Sequence, residues 1–374
     1  MSSHSTVADA ARVVVSRVLA LKPGEQFLIV SNPGGESDSI ARALFDAAIA
    51  LGAETTLVFQ SEKDQLTFAN RAALAAFGSS PDAVASISAN KLGKDRIAQA
   101  NPFVLPDGRK FDHIFNYQLE GLKTLRAVWS PGLTVDMFTR TATIDYDLLY
   151  RRCAALVSAL DGAATVHVTA PGGTDIRVPV LGRRPMSDDG DFTRAGTGGN
   201  IPAGEVFISP LVGKSEGVIV FDGSVSLNDG DLIVREPVRV AVKAGYVESV
   251  TGGAEARALL ESIEAGERKA LEFEREGKLP AGSGASYARN ARNLGELGIG
   301  LNPAAEIRGN MLEDEKAFHT CHFAIGSNYD DDAEAMIHLD CLVREPTIVV
   351  EYPDGKRRVI EEKGRLTDAF GGTT

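Results

Sequence analysis

The sequence contains few cysteines and no long apolar segment. Its three cysteines, Cys153, Cys321 and Cys341, are odd in number and form no CxxC pair, so a disulfide framework is not expected and a reducing compartment fits. No apolar stretch reaches the ~18 residues of a membrane-spanning helix. The beginning of the chain has no basic run before an apolar core. We therefore expect no signal peptide and a cytoplasmic location.

Positive charge is also in short supply. The 39 lysines and arginines are outnumbered by 51 aspartates and glutamates, which gives a net charge of −12. Nucleic acids and anionic membrane surfaces attract basic proteins. We therefore expect neither as a partner, which leaves peptides and other small polar molecules as substrates.

Helix and strand patterns alternate through the first 160 residues. Residues 7–21 have apolar side chains at helical spacing, and a helix-like segment separates two short apolar runs at 26–32 and 53–59. A helix between two such strands implies a right-handed crossover and parallel pairing. The pattern predicts an α/β N-terminal domain with a mostly parallel sheet, over residues 1–160.

From about residue 163 the sequence pattern becomes one of short strand-like segments separated by glycine or Asp-Gly. Examples are ATVHVTA, DIRVPVLG and VIVFDGSVS. One long helical stretch covers 255–276, and LPAGSGASYARNARN has the composition of a loop. The chain of 374 residues also exceeds the size at which a single core stops growing. We therefore predict a second domain, β-rich α+β and catalytic, over residues 161–374.

Metal-ligand residues gather in the last quarter of the chain. Three of only six histidines, His319, His322 and His338, lie in one short stretch with Tyr329 and Asp340. Imidazole and carboxylate are the usual protein ligands of Zn²⁺, Mn²⁺, Co²⁺ and Fe²⁺. His338 and Asp340 are two apart in the strand-like run MIHLDCLV, so they share one face. A metal ion would explain that pair, and so would a hydrogen-bonded His–Asp pair.

Other residues are ambiguous on local pattern alone. His322 opens the strand-like run HFAIG, so it and His319 would point to opposite sides, and His322 is the preferred ligand. Glu205, in IPAGEVF, and Glu296, in NLGELGIG, are either solvated or buried beside a partner such as a cation. Tyr329 either lends its phenol to a metal ion or an oxyanion, or packs at a loop entrance.

Taken together, these stretches resemble the aminopeptidase T / aminopeptidase S family of metallo-exopeptidases, the family of the thermophilic leucyl aminopeptidases. The resemblance is strongest over residues 172–350 and looser in the N-terminal part. It rests on NIPAGEVF, on the Gly/Leu-rich stretch after Glu296, on HFAIG with a tyrosine seven residues beyond its histidine, and on the H-x-D pair. The segment Gly173–Thr174–Asp175 also has a counterpart in that family, but its chemistry demands no catalytic role.

That resemblance implies a metallo-aminopeptidase, a hydrolase that releases N-terminal amino acids from peptides or aminoacyl amides through a metal-activated water. It implies two divalent ions (Zn, Co or Mn) and a homodimer. The implied metal ligands are Glu205, Glu296, His322, His338 and Asp340. The implied catalytic residues are Glu205, Glu296 and Tyr329.

Three alternatives stay open. A mononuclear Fe(II) ring-cleaving dioxygenase of the dihydroxypyridine type shares the fold; those relatives carry a two-His-one-carboxylate site, with a histidine at the place of Glu296 and an apolar residue at that of Glu205. A specialised amide hydrolase is the second alternative, because residues 271–292 resemble an insertion that could cap the cleft. The third is a non-catalytic metal-binding protein. The presence of both glutamates favours the aminopeptidase.

Overall fold

The computed structural model describes residues 5–64 and 66–371. The chain forms two compact units. Unit 1 extends to Tyr146 and also includes Gly190–Ala203; unit 2 consists of Asp147–Asp189 and the chain from Gly204 onward.

The boundary expected after residue 160 differs from this division at two segments. The helix Tyr146–Leu160 falls almost wholly in unit 2, because its side chains contact that unit: the Cys153 thiol lies 3.9 Å from the Glu205 carbonyl oxygen. The segment Gly190–Ala203 returns to unit 1, where Gly198–Gly199 adds a short strand to the sheet.

The elements are as follows. The helices are α1 (Val7–Val13), α2 (Gly35–Ala50), α3 (Arg71–Phe77), α4 (Arg96–Ala100), α5 (Ile114–Asn116), α6 (Val135–Thr141), α7 (Tyr146–Leu160), α8 (Ala254–Arg275), α9 (Gly284–Asn290) and α10 (Met311–Asp314), with π-helical turns at Val14–Val18 and Tyr117–Gly121 and a 3₁₀ turn at Asp368–Phe370. The strands are β1 (Gln26–Ser31), β2 (Glu54–Phe59), β3 (Ala83–Ile87), β4 (Phe103–Val104), β5 (Lys110–Phe111), β6 (Arg126–Trp129), β7 (Thr165–Thr169), β8 (Asp175–Pro179), β9 (Met186–Asp188), β10 (Gly198–Gly199), β11 (Glu205–Ile208), β12 (Glu216–Phe221), β13 (Ser224–Leu227), β14 (Gly230–Ile233), β15 (Val238–Lys243), β16 (Tyr246–Thr251), β17 (Leu294–Gly300), β18 (Thr320–Gly326), β19 (His338–Arg344), β20 (Thr347–Glu351), β21 (Arg357–Glu362) and β22 (Arg365–Leu366).

Unit 1 is built on a five-stranded sheet in the order β10-β6-β3-β1-β2, and every pair in it is parallel. β1 and β3 are buried along almost their whole length, as expected of central strands covered on both faces. One layer of the core consists of apolar side chains from β1, β3 and β6 packed against α3 and the segment 115–125. The predicted α/β class with a mostly parallel sheet is confirmed.

Unit 2 contains two large antiparallel sheets. One has seven strands in the order β14-β13-β19-β18-β17-β11-β9, and the other has eight in the order β16-β15-β12-β8-β7-β20-β21-β22. The Asp-Gly break in YPDGK forms the turn between β20 and β21. The β-rich class of this part of the chain is also confirmed.

One predicted loop is instead partly helical. In LPAGSGASYARNARN, α9 spans Gly284–Asn290 and packs along α8, because its Ala, Tyr and Arg residues favour helix once the preceding Gly-Ser turn is complete. Within the described residues, no helix is both long and apolar enough to cross a membrane.

Candidate metal centre

Four neighbouring strands of the seven-stranded sheet carry the candidate ligands on one face. Strand pairing sets Glu205 opposite Gly300, Glu296 opposite Ala324, and Ala324 in turn opposite Asp340. Directly paired residues in adjacent strands point to the same side of a sheet. The register therefore brings together carboxylates that lie far apart in the sequence.

The two histidines lie on the same face, and glycines leave room for them. His322 pairs with Gly298, and His338 pairs with Gly326. A Cβ atom added at Gly298 would lie 2.0 Å from His322 Nε2, so any larger residue there would collide with the imidazole. A bulge next to Glu296 shifts the register of β17 against β18. The Gly-rich composition of this strand thus serves to leave the ligand face open.

The side chains converge into two overlapping groups. Glu205, Glu296 and His322 form the first, and Glu296, His338 and Asp340 form the second; the possible ligand atoms within each group lie within 4.8 Å of one another. His322 Nε2 is 3.1 Å from Glu296 Oε1 and 3.5 Å from Glu205 Oε2. His338 Nε2 is 3.3 Å from both Glu296 Oε2 and Asp340 Oδ1. Glu296 is shared by the two groups.

The free atoms at this centre fit a divalent cation. Among the described residues, Glu205 Oε2, His338 Nε2 and Asp340 Oδ1 are buried without a hydrogen-bond partner, and such atoms are costly unless something satisfies them. His338 Nδ1 is 2.9 Å from the Ser327 carbonyl oxygen, to which it must donate. That bond leaves Nε2 as the atom available to a metal, the arrangement usual for metal-binding histidines.

The pKa values of several of these side chains differ strongly from their usual values. Burial raises the pKa of Glu205 to about 8. Burial opposes ionisation of Asp340 as well, but His338 beside it outweighs burial and lowers the Asp340 pKa to about 2. For His322, the hydrogen bond to Glu296 and the nearby carboxylates overcome burial and raise its pKa to about 9. Each histidine is thus held by anionic oxygens that a cation can also use.

A buried lysine lies at the edge of the first group. The Lys316 side chain is 0% exposed, and its Nζ is 2.6 Å from Glu205 Oε1, 2.5 Å from Glu315 Oε1 and 3.8 Å from Asp188 Oδ2. Burial works against the ammonium form, but these carboxylates prevail and hold the Lys316 pKa well above its usual range. No sequence pattern predicts this position for Asp188, which ends β9, or for Glu315 and Lys316, which follow α10, because charged residues in such places are ordinarily solvated.

Tyr329 lies beside the centre rather than within it. Its ring centroid is 5.1 Å from that of Phe207 and 5.3 Å from that of His338, and the residue is 54% exposed. Its backbone N–H donates to Ser209 Oγ. Arg183 pairs with Asp332 in the same loop (2.7 Å). The tyrosine therefore forms an aromatic wall with Phe207 at the exposed side of the ligands.

Other residues singled out in the sequence lie elsewhere. His319 belongs to neither ligand group; its Nδ1 contacts the Gly364 carbonyl oxygen and its ring packs on Phe318. Asp175 pairs with His167 (2.8 Å) at the surface. The segment expected to be an insertion contains α9, where the Tyr287 hydroxyl donates to Glu334.

The sequence of this chain matches the model of a known protein family. The family model for NicX, 2,5-dihydroxypyridine 5,6-dioxygenase, matches residues 11–368. The chain belongs to this family. No curated protein sequence matches the chain.

Two solved structures resemble the fold of this NicX-family protein. A 2,5-dihydroxypyridine dioxygenase from Pseudomonas putida KT2440 is 17% identical, with a TM-score of 0.68 over 97% of this chain and 98% of the other. Wild-type AmpT from Thermus thermophilus is also 17% identical, with a TM-score of 0.62 over 96% of this chain and 98% of the other. At such identities both likenesses describe the fold alone.

The family match corrects the expected enzyme class. The residue types that suggested a metallo-aminopeptidase are present and lie together, but the family to which the chain belongs is one of ring-cleaving dioxygenases, not peptide hydrolases. The physical reason for the error is that both kinds of protein share this scaffold, so a ligand face on its strands does not by itself reveal the reaction. A metal-dependent enzyme remains the reading that the site supports.

Proposed function

We propose that this protein is a metal-dependent dioxygenase that opens a dihydroxylated pyridine or a closely similar heteroaromatic ring. The observation that carries the proposal is the convergence of Glu296, His338 and Asp340 on one point in a chain of the NicX family. Bound Fe(II) would supply the redox chemistry that joins dioxygen to the ring. This function does not require the two divalent Zn, Co or Mn ions that the aminopeptidase resemblance implied.

The ligand set departs from the two-His-one-carboxylate arrangement expected of such dioxygenases. Here Glu296 stands where a histidine was expected, so the three ligands are one imidazole and two carboxylates. Such a set is harder, and oxygen ligands suit Mn(II) as well as Fe(II).

The wall beside the centre suits a flat ring. Phe207 and Tyr329 present aromatic faces next to His338, and offset or edge contacts between aromatic rings contribute about 0.5–1.5 kcal/mol beyond area burial. Glu205 Oε2, which has no hydrogen-bond partner among the described residues, would form a hydrogen bond with a ring hydroxyl. These residues would orient the substrate beside the metal without taking part in redox chemistry.

The test is an oxygen-uptake assay. Protein purified without oxygen and loaded with Fe²⁺ is mixed with 2,5-dihydroxypyridine in aerated buffer, and we expect oxygen consumption together with loss of the substrate's ring absorbance. The Asp340→Ala variant should lose both signals, because it loses a metal ligand. The matched control is Asp175→Ala, which disrupts the surface pair with His167 and should leave the rate unchanged.

Failure of the metal-loaded enzyme to consume oxygen with any of the isomeric dihydroxypyridines would refute the proposal. Equal loss of activity in the Asp340 and Asp175 variants would show that the effect is not specific to the centre.

The homodimer remains a prediction from the sequence resemblance, to be tested by light scattering. The absence of nucleic-acid and membrane partners likewise remains a prediction.

A further inference from the structure

Lys316 is held rigidly inside the protein. Its carbonyl oxygen accepts a hydrogen bond from Asn302 N (2.9 Å), and its own N–H donates to the Glu313 carbonyl oxygen (2.9 Å). The backbone of this segment lies so close to β17 that a Cβ atom at Gly300 would be 2.1 Å from the Ala317 carbonyl oxygen. The ammonium therefore has a fixed place beside the ligand face.

Carboxylates surround that place. Glu205, Glu315 and Asp188 all approach the Lys316 ammonium within 4.0 Å, and burial strengthens their attraction for any cation. Three convergent carboxylates are also the kind of oxygen-rich set that binds divalent ions. The lysine thus occupies a position that would otherwise favour a metal ion.

Glu205 is divided between the lysine and the ligand face. Its Oε1 contacts Lys316, whereas its Oε2 faces His322 at 3.5 Å. A divalent ion in the group formed by Glu205, Glu296 and His322 would share this carboxylate with the ammonium, and like charges in a buried site repel. Among the described residues, the ion pairs of Lys316 are formed with Glu205, Glu315 and Asp188, and not with Glu296, His338 or Asp340.

We propose that Lys316 is a built-in cation that replaces a second metal ion, so that the centre binds one divalent ion at Glu296, His338 and Asp340. This inference rests on the proposed function in one respect only, namely that the centre is a metal site. In this arrangement His322 keeps its hydrogen bond to Glu296 Oε1 and orients that ligand. Lys316 is then a positioning residue that sets ion stoichiometry.

The first experiment uses the full wild-type chain and Mn²⁺ alone. The ion-free protein is titrated with Mn²⁺, bound metal is counted by mass spectrometry of the intact protein, and the spin state is followed by electron paramagnetic resonance. We expect one tightly bound ion per chain with the spectrum of an isolated Mn²⁺. Two tightly bound ions, or the spectrum of a coupled pair, would overturn the proposal.

The second experiment removes the charge. Lys316→Met keeps the length of the side chain but leaves three carboxylates without their cation, so we expect the stoichiometry to rise from one ion to two. Lys316→Arg is the matched control, because it keeps the positive charge and should bind one ion. A folded Lys316→Met protein that still binds a single ion would contradict the proposal.

If Lys316→Met does not fold, a third variant still tests the proposal. Glu205→Gln should retain one Mn²⁺ with affinity within about threefold of wild type, because Glu205 is bound to the lysine and is not required as a ligand. A loss of affinity of a hundredfold or more would make Glu205 a metal ligand and overturn the inference. Stoichiometry and ring cleavage are separate readouts: one ion without oxygen uptake refutes the function alone, whereas two ions with uptake refute only the role of Lys316.

Discussion

A buried carboxyl on β21 should make the stability of unit 2 depend on pH in an unusual direction. Glu361 is 2% exposed, and its Oε2 has no hydrogen-bond partner within the described part of the chain. Burial raises the pKa of this carboxyl well above its usual value. The folded protein therefore holds a proton that the unfolded chain releases near pH 4.3.

The sign and size of the effect follow from that difference in bound protons. Below the unfolded pKa both states are protonated and folding carries no penalty from this group. As pH rises, the unfolded state is favoured by about 1.4 kcal/mol per pH unit, until the folded pKa is reached. Each pH unit between the unfolded and the folded pKa therefore removes a large share of a typical stability of about 5–15 kcal/mol.

The test compares Glu361→Gln with wild type. The glutamine cannot titrate, so the difference in free energy of unfolding should move in favour of the variant by about 1.4 kcal/mol per pH unit. A constant offset of about 1–3 kcal/mol is expected from the buried amide, and the slope decides the question. Urea unfolding of unit 2, followed by hydrogen exchange of amides in β20 and β21, supplies the free energies.

The control is Glu362→Gln, which changes the exposed neighbour of Glu361 on the same strand. Its unfolding free energy should run parallel to that of wild type at every pH, since the other titrating groups are common to both proteins. A Glu361→Gln curve that also runs parallel to wild type would mean that the buried carboxyl is ionised in the folded protein, and the reasoning from burial would be wrong.

Three further outcomes are expected at the candidate metal centre. Gly298→Ala should displace the His322 imidazole, which its Cβ would approach to 2.0 Å, and destabilise the protein by about 1–3 kcal/mol; an unchanged urea midpoint would contradict this. Tyr329→Ala should raise KM in the oxygen-uptake assay while Tyr329→Phe stays near wild type, because the ring packs against Phe207; equal KM values in both would exclude a role for the ring. Chelation should lower the unfolding free energy by about 2.7 kcal/mol relative to protein at 100 times the metal Kd, and calorimetry showing no shift would argue against a preformed site.

Local sequence patterns were sufficient for the fold class and for the strand face on which His338 and Asp340 lie. Alternation within MIHLDCLV put His338 and Asp340 on one face, and β19 has that geometry. His322 lies in the cluster and His319 does not, and the choice of His322 as a ligand stays a prediction. The shared face of His338 and Asp340 could be predicted because it depends only on the two-residue repeat of a strand.

The pattern of residue types misled where it was used to infer the reaction. Glu205 and Glu296 favoured a hydrolase over a dioxygenase, yet the chain belongs to the NicX family. Both glutamates do lie in the cluster. The reaction catalysed at the centre depends on the metal and on the substrate, and the spacing of the ligands in the chain specifies neither.

The sequence alone determined the parallel α/β part and the β-rich part of the fold and the strand face that bears His338 and Asp340, because repeat patterns and turn residues act over a few positions. Only the tertiary structure decided that Glu205 lies near His322 and that Lys316 lies buried against Glu205. Those contacts come from strand register and from glycines that allow close approach of the backbone, and they join residues up to 117 positions apart, from 205 to 322. Long-range register is the property that local pattern does not carry.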